Sequence, residues 1–489
     1  MVGMKPPSIA QLRVQLARLE LSFSELLQAH IDRISRHNPR LNALPTLCLD
    51  RAVDEARQLD NMVARGRNKK SSASVGPLAG MPYCAKDMFE TGGIRTTFGS
   101  PLFQDHVPAN DSEIVRRIRG AGALLVGKSN TPEFAAGSQT FNTVFGATRN
   151  PWDPDRTCGG STGGGAVALA TEMVCLADGS DLAASLRNPA SFCGVTGLRP
   201  SSHLDPRLQT GANPFNTLSM VGPMGRSVDD TRELFLAIFD PHGCRPDRTL
   251  QQWVELRTQQ SKARADQRRG RRLRIGWCPD WGGLPVEHAV TDAMQRCEDQ
   301  LRMQHIELVP GFPNLPDLRS AFLTLRGEYF VAEFSDLYAQ HKSQLKDTVV
   351  WNIEQGLLLN AQQITEAQKI RGVARAALTD YMNAHQLDAI AGPTNQVLPF
   401  DLNTPYITEI NGQPLETYID WLASNFMITM AGLPAISIPA GFAAPVEGAP
   451  ALPVGLQLVG RWAEDLELLN VAEAIESVLA PMNHSRRLP

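Results

Sequence analysis

An α/β fold is predicted because short apolar segments alternate with amphipathic ones along the chain. The clearest example is a helical segment at residues 111–120, followed by an apolar strand at 123–127. The chain has 489 residues, of which 43% are hydrophobic and 20% charged, as is typical of a globular protein with a large core. It contains neither an internal repeat nor a low-complexity linker. One domain over residues 1–489 is therefore predicted, with a more variable helical segment at 241–385.

Turn residues and periodicity place the other elements. Ser22 and Glu25 form a capping box that opens the second helix, and Asn38-Pro39 is expected to end it. Residues 67–76 and 146–157 are predicted loops, and 241–274 is predicted to be a polar, solvated connection. Further helices are expected at 8–20, 22–37, 51–65, 228–238, 286–303, 316–340, 363–384 and 465–480. Further strands are expected at 80–87, 193–198, 218–224, 273–278, 389–392, 430–439 and 452–460.

Charge and cysteine content exclude several classes of function. The net charge of −4 provides no field that would attract nucleic acid or an anionic membrane. The longest apolar stretch, 163–177, is interrupted by Glu172 and is too short to span a bilayer. The eight cysteines include no C-x-x-C pair and no His-Cys metal spacing, so we expect reduced thiols, no metal and no cofactor. A cytoplasmic protein is expected.

Residues 157–202 hold two serines with chemical potential, Ser161 in GGSTGGG and Ser185 in GSDLAAS. Small residues in such turns allow a ligand to approach the backbone closely. A helix-like apolar segment is expected between them at 166–176. Both turns are therefore candidates for a functional site, although for either turn alone tight packing of a helix would be the better explanation.

Nucleotide binding is the first alternative for this glycine-rich turn. Residues 163–168 match G-x-G-x-x-A, and Asp181 follows at a plausible distance. That fingerprint requires a strand immediately before it. Pro151 and Pro154 lie in the preceding segment and lack the N–H groups that a central strand needs. No Lys-Ser/Thr pair follows the glycines, so a phosphate-binding P-loop is also disfavoured.

A serine nucleophile is the second alternative, and it requires a neighbouring base. No histidine lies between His106 and His203, and G-x-S-x-G is absent around both serines. A lysine kept neutral by burial can replace histidine. Lys86 fits this requirement because it ends the apolar segment 80–87.

These residues resemble the amidase signature family. The resemblance rests on Met81–Asp87, Cys158–Gly165 and Gly179–Ala190, and matching blocks extend it over roughly residues 8–480, most weakly at 240–385. It implies a large twisted mixed β-sheet covered by helices on both faces. It also implies a catalytic triad in which Ser185 is the nucleophile, Ser161 follows a cis peptide bond and relays protons, and Lys86 is the base.

The resemblance further implies an oxyanion hole formed by the backbone N–H groups of Leu182, Ala183, Ala184 and Ser185. Here the chain departs from the family, which usually carries Thr-Gly-Gly before the nucleophile. If those glycines need positive φ, alanine adds strain; if they only provide clearance, alanine narrows the acyl pocket. We favour clearance because the flanking motif is intact.

The resemblance implies hydrolysis of a small, mostly apolar amide, anilide or carbamate, by a monomer or homodimer. Two alternatives stay open. One is the subunit of a tRNA-dependent amidotransferase that carries the same triad, although Asn188 stands where that subgroup tends to have Gln. The other is a catalytically inactive family member. Candidate residues for an apolar substrate pocket come from the variable segment: Leu325, Tyr329, Phe330, Phe334 and Trp351.

Overall fold

Eleven strands of the described residues form one mixed β-sheet, and helices cover both of its faces. The computed structural model describes residues 6–68, 74–202, 206–208, 213, 215–268, 270–304, 306–446 and 448–483. The strands are β1 Thr46–Leu47, β2 Pro82–Lys86, β3 Leu124–Ser129, β4 Phe141–Asn142, β5 Gly146–Ala147, β6 Leu176–Asp181, β7 Thr196–Arg199, β8 Met220–Gly225, β9 Arg274–Trp277, β10 Glu307–Pro310, β11 Ala389–Pro393, β12 Glu409–Ile410, β13 Gln413–Pro414, β14 Ala435–Ala443 and β15 Leu452–Val459. The predicted fold class is confirmed.

The helices vary widely in length and alternate with the strands along most of the chain. They are α1 Ile9–Arg18, α2 Phe23–Leu41, α3 Leu49–Asn68, α4 Glu113–Gly120, α5 Gly163–Ala170, α6 Arg187–Cys193, α7 Val228–Phe239, α8 Leu250–Arg268, α9 His288–Met303, α10 Leu318–His341, α11 Asp347–Leu357, α12 Ala361–Ala384, α13 Ala423–Ala431 and α14 Asp465–Asn483. Within the described part of the chain, none combines the length and hydrophobicity needed to cross a membrane.

The strand order is β1-β3-β2-β6-β8-β7-β14-β15-β11-β9-β10. Strand β2 pairs in parallel with both β3 and β6, whereas β6 and β8 are antiparallel. Strands β2 and β3 are buried along their whole length, as expected of parallel strands covered on both faces. Parallel pairing brings the carboxyl ends of β2, β3 and β6 to the same edge of the sheet.

Helix α2 corrects one expectation. It does not end at Asn38-Pro39 but includes Pro39 and continues to Leu41. The helix then stops at Asn42, which has a φ of 51° and donates its N–H to the Asn38 carbonyl at 2.8 Å. The Asn38 side chain accepts the N–H groups of Ala43 and Leu44. These bonds satisfy backbone N–H groups at and beyond the end of the helix.

The segment between the two serines is the second correction. Helix α5 begins at Gly163 and ends at Ala170, and residues 176–181 form strand β6 instead of extending the helix. Gly179, Ser180 and Asp181 are therefore the end of a strand, and the turn is confined to the residues after them. The expected strand at 193–198 begins only at Thr196, because Cys193 closes helix α6.

Residues 241–274 are also more ordered than expected of a solvated connection. They contain α8, whose Trp253 is fully buried and donates its indole N–H to the Val75 carbonyl at 2.8 Å. Arg257 on the same helix forms an ion pair with Glu233 at 3.2 Å. The segment reads as polar because Leu250 and Trp253 are the buried residues described on α8. Of the predicted loop at 67–76, residues 69–73 lie outside the described residues.

Candidate active site

Lys86 ends β2, between β3 and β6, and its side chain is fully buried. Its backbone N–H donates to Asp178 Oδ1 at 2.6 Å, and the Tyr83 hydroxyl donates to the other oxygen of the same carboxylate. Asp178 lies on β6, so these bonds hold the end of β2 against its neighbour. The lysine side chain is thereby directed from a rigid strand.

Three hydroxyl groups surround the Lys86 amino group. Nζ lies 2.7 Å from Ser161 Oγ, 3.1 Å from Thr162 Oγ1 and 3.1 Å from Ser180 Oγ. Ser161 and Thr162 immediately precede α5, and Ser180 lies on β6. Thr162, Ser180 and Asp178 are not among the residues predicted from the sequence. An alternating strand places Asp178 and Ser180 on one face, but this signal was lost because the segment before them was assigned to a helix.

Close backbone packing explains the glycines around Ser161. Gly159 has a φ of 78°, which favours glycine. A Cβ at Gly160 would lie 2.8 Å from the Gln139 backbone. The Gly160–Ser161 peptide bond is cis, and the Asn188 side-chain amide donates to the Gly160 carbonyl at 3.1 Å. The turn is thus held from two sides.

The loop that carries Ser185 follows β6 and is held by a buried ion pair. Arg187 Nη2 lies 2.9 Å from Asp181 Oδ1, with both side chains fully buried. The same nitrogen donates to the Ala183 carbonyl at 2.8 Å, and the Leu186 N–H donates to Asp181 Oδ2 at 3.1 Å. Burial raises the pKa of Asp181, but Arg187 and Arg199 outweigh it, so the pKa lies below its ordinary value. The loop therefore closes around a permanent charge pair.

Four consecutive N–H groups in this loop are unused. Among the described residues, none accepts a hydrogen bond from the backbone N–H of Leu182, Ala183, Ala184 or Ser185. None of these four residues has positive φ, so the alternative in which alanine adds strain is wrong. Ala183 lines the pocket, where its methyl group occupies space that glycine would leave open.

Ser185 is brought beside Ser161 by a backbone hydrogen bond. The Thr162 N–H donates to the Ser185 carbonyl at 3.2 Å. Ser185 is partly exposed, and it lines the same pocket as the buried Ser161. The structure therefore gathers Lys86, Ser161 and Ser185, together with the free N–H groups, in one place.

Burial sets the protonation of the site. It lowers the pKa of Lys86 to about 7, against the attraction of Asp178 and Asp181. Burial also raises the pKa of Asp178 to about 6, although the hydrogen bonds from Tyr83 and Lys86 oppose this. A lysine with a pKa near neutrality can both accept and return a proton at physiological pH.

The pocket at Ser185 has a volume of about 70 Å³. Apolar side chains form much of its wall, and α10 from the predicted variable segment contributes Arg326, Tyr329, Phe330 and Glu333. Two of the five predicted pocket residues, Tyr329 and Phe330, line it. The other three are not among its lining residues. Leu325 lies in a hydrophobic cluster. Between ring centroids, Phe334 is 5.0 Å from Phe134 and Trp351 is 5.7 Å from Tyr418.

The chain is similar to known proteins over most of its length. The chain matches the Amidase family model over residues 25–469. A glutamyl-tRNA(Gln) amidotransferase subunit from Trichormus variabilis is 31% identical, covering 96% of this chain and 97% of that protein. The corresponding subunit from Thermosynechococcus vestitus is 32% identical, with the same coverage of 96% and 97%.

Solved structures extend the comparison. A bacterial aryl acylamidase of the amidase signature family shares the fold, with a TM-score of 0.81 at 24% identity and 99% coverage of both chains. The peptide amidase PAM, solved with the competitive inhibitor chymostatin, has a TM-score of 0.75 at 27% identity, covering 99% of this chain and 98% of that one.

The fold and the family match define an enzyme that acts on amide-type C–N bonds. The chain belongs to the amidase signature family.

Proposed function

We propose that this protein hydrolyses the C–N acyl bond of a small, mostly apolar amide, anilide or carbamate through an acyl-enzyme on Ser185. The observation that carries the proposal is the 2.7 Å contact between Lys86 Nζ and Ser161 Oγ, beside Ser185 in a pocket. A buried lysine with a pKa of about 7 is a base that can activate a serine through a hydroxyl relay.

In the acylation step, Ser185 Oγ forms a bond with the substrate carbonyl carbon. Its proton passes to Ser161 Oγ, and the Ser161 proton passes to neutral Lys86, which becomes an ammonium group. The negative oxygen that forms faces the N–H groups of residues 182–185, and such donors contribute roughly 3–4 kcal/mol each. The C–N bond then breaks as the proton returns along the same path to the leaving amine. Water then attacks the ester carbonyl carbon while its proton passes through Ser161 to Lys86. The ester bond breaks, and the proton returns to Ser185 Oγ as the acid product leaves.

Pocket composition supports the substrate class. Leu182 and Ala183, which precede Ser185 closely in the chain, line the pocket, and Phe134, Phe330 and Leu422 extend its apolar wall. Burial of apolar surface contributes roughly 25 cal/mol per Å², so contact with these walls favours binding of a substrate with an apolar body.

Covalent labelling tests the nucleophile. A serine-directed phosphonate is expected to add one adduct mass to the wild-type protein and none to Ser185→Ala. Ser138→Ala is the matched control, because Ser138 lines the same pocket and its loss should leave labelling intact. A panel of p-nitroanilides, aliphatic amides and carbamates then defines the preferred bond. Unlabelled Ser185 in the wild-type protein would support the inactive alternative.

A second function, as one component of a tRNA-dependent amidotransferase, is favoured by the sequence relatives. The glutamyl-tRNA(Gln) amidotransferase components match almost the whole chain at 31–32% identity, and they support this alternative better than a small-amide hydrolase. Asn188 remains the residue that argues against it. Purification decides between the two: hydrolysis by the isolated chain without tRNA-dependent amide formation supports the first function. Formation of amidated tRNA with added partner proteins supports the second.

A further inference from the structure

Arg326 is a buried cation in the wall of the pocket. It lies on α10, is 5% exposed and lines the cavity that contains Ser185. An arginine side chain stays charged at any pH at which a protein is folded. Burial of such a charge is costly unless the charge meets an anion or a full set of hydrogen bonds.

Neutral groups hold the guanidinium plane in position. Nε donates to Asn352 Oδ1 at 2.8 Å, and Nη2 donates to the Tyr418 hydroxyl at 2.9 Å. Asn352 also donates to the Tyr418 hydroxyl at 2.7 Å, so each of the three side chains is hydrogen-bonded to the other two. The guanidinium carbon lies 4.8 Å from the centroid of the Phe330 ring. The plane is therefore fixed before any ligand arrives.

This cation has no anionic partner in the described part of the chain. No carboxylate of the described residues lies within 4.0 Å of its nitrogens, and Nη1 donates to none of their acceptors. The other charged residue in the pocket wall, Glu333, lies seven positions along α10 and accepts the Asn213 N–H at 3.4 Å. The free donor of Arg326 is thus available to a ligand in the pocket.

We propose that the substrate carries a carboxylate in addition to the scissile C–N bond and that Arg326 binds this carboxylate. This inference rests on the proposed amide hydrolysis at Ser185 and names its substrate class more closely. A carboxylate would supply the missing negative charge, and a fixed guanidinium prefers a planar anion. The apolar walls would then contact the body of the substrate between the two polar ends.

A purely structural role for Arg326 predicts a different result. Arg326 connects α10 to Asn352 on α11 and to Tyr418, so its loss would disturb the pocket for every substrate alike. If Arg326 binds a carboxylate, its replacement should instead lower kcat/KM mainly for substrates that carry a carboxylate. The informative quantity is therefore the ratio of kcat/KM between two substrates that differ only in charge.

The experiment uses p-nitroanilides of succinic, glutaric and adipic acid, each compared with its neutral ω-carboxamide. A second pair, N-acetyl-4-aminobenzoate and N-acetyl-4-aminobenzamide, places the charge on the leaving amine. The enzymes are wild type, R326Q and R326K, with R319Q as the control. Arg319 lies on the same helix but forms an ion pair with Asp420 at 2.9 Å, outside the pocket wall.

We expect wild type and R319Q to prefer the carboxylate member of one pair by roughly 10- to 100-fold, mainly through KM. R326Q should abolish this ratio, and R326K should restore part of it. A kcat/KM ratio near one for every pair in wild type would overturn the inference. So would a preference in wild type that R326Q leaves unchanged. If Ser185 reacts with the phosphonate and neutral substrates are hydrolysed, that failure leaves the proposed function intact. If neither occurs, the proposed function itself fails.

Discussion

The carboxyl ends of β2 and β3 each carry a buried lysine, and the two lysines have different surroundings. Lys86 contacts three hydroxyl groups, whereas Lys128 donates to the Phe89 carbonyl and to Thr91 Oγ1. Burial lowers both pKa values, that of Lys86 to about 7 and that of Lys128 to about 8. Burial and a shifted pKa therefore do not distinguish a candidate base from a structural lysine.

Register separates the two. Ala85 is paired with Lys128, and Lys86 with Ser129. Because successive residues of a strand point to opposite faces, Lys86 and Lys128 leave the sheet on opposite sides. Only the face of Lys86 meets the serine turn before α5. A shift of one residue thus decides which lysine reaches a nucleophile.

The largest expected effect is that of Lys86→Met against Lys128→Met. We expect Lys86→Met to lower kcat by roughly 10⁴-fold, because the nucleophile loses its base. Lys128→Met should lower kcat by less than about tenfold, because Lys128 is not the proposed base and only the loss of a general base has the larger effect. Steady-state kinetics checks both variants, and thermal melting verifies that each is folded. Equal losses in two folded variants would contradict the distinction between the two lysines.

The relay is the next contrast. Ser161→Ala should lower kcat by about 10²- to 10⁴-fold, because the proton path from Ser185 to Lys86 is broken. Ser180→Ala is the matched comparison: its hydroxyl also contacts Lys86, at 3.1 Å, but would not carry the proton. The expected loss there is smaller. A loss as large as that of Ser161→Ala would mean that the hydroxyls act mainly by positioning the lysine.

The pH profile gives an intermediate effect. In the wild type, kcat/KM should rise with pH through about 7, because the unprotonated form of Lys86 is the base and its pKa is about 7. Asp178→Asn removes a charge that favours the ammonium form, so this limb should move to lower pH. Asp87→Asn, beside Lys128, is the control and should leave the limb in place. An unmoved limb in Asp178→Asn would exclude Asp178 as a determinant of the Lys86 pKa.

The same pKa has a consequence for stability. The ordinary lysine pKa is 10.5 and the folded value is about 7. Between these values the unfolded lysine holds a proton that the folded one has released. The contribution of Lys86 to the free energy of unfolding therefore rises with pH across this window.

The smallest expected effect concerns the loop before Ser185. Ala183→Gly should lower the KM for bulkier acyl groups by a few-fold, because the Ala183 methyl lines the pocket. Ala184→Gly, whose Cβ is absent from the pocket wall, should leave KM unchanged and cost about 0.5–1 kcal/mol of stability through backbone entropy. KM for a series of acyl p-nitroanilides checks the first variant, and urea unfolding checks the second. Identical KM changes in both would contradict the clearance interpretation.

Much of the fold follows from local patterns. The apolar run before Lys86 predicted β2, and the Ser22–Glu25 capping box was confirmed at the start of α2. The sequence failed where a distant contact overrides local preference. Residues 250–268 form a helix that Trp253 anchors to Val75.

The sequence by itself indicated the candidate catalytic residues, because serines in glycine-rich turns and a lysine in an apolar strand are local features. The tertiary structure decided what those residues meet. Lys86 and Ser161 are separated by 75 positions, and only the parallel pairing of β2 with β6 brings the lysine to the turn. Arg326 enters the pocket because α10 packs against it, which no local pattern encodes. Strand register and helix packing depend on long-range contacts, and these decide which lysine meets the serine turn and which side chains of α10 line the pocket.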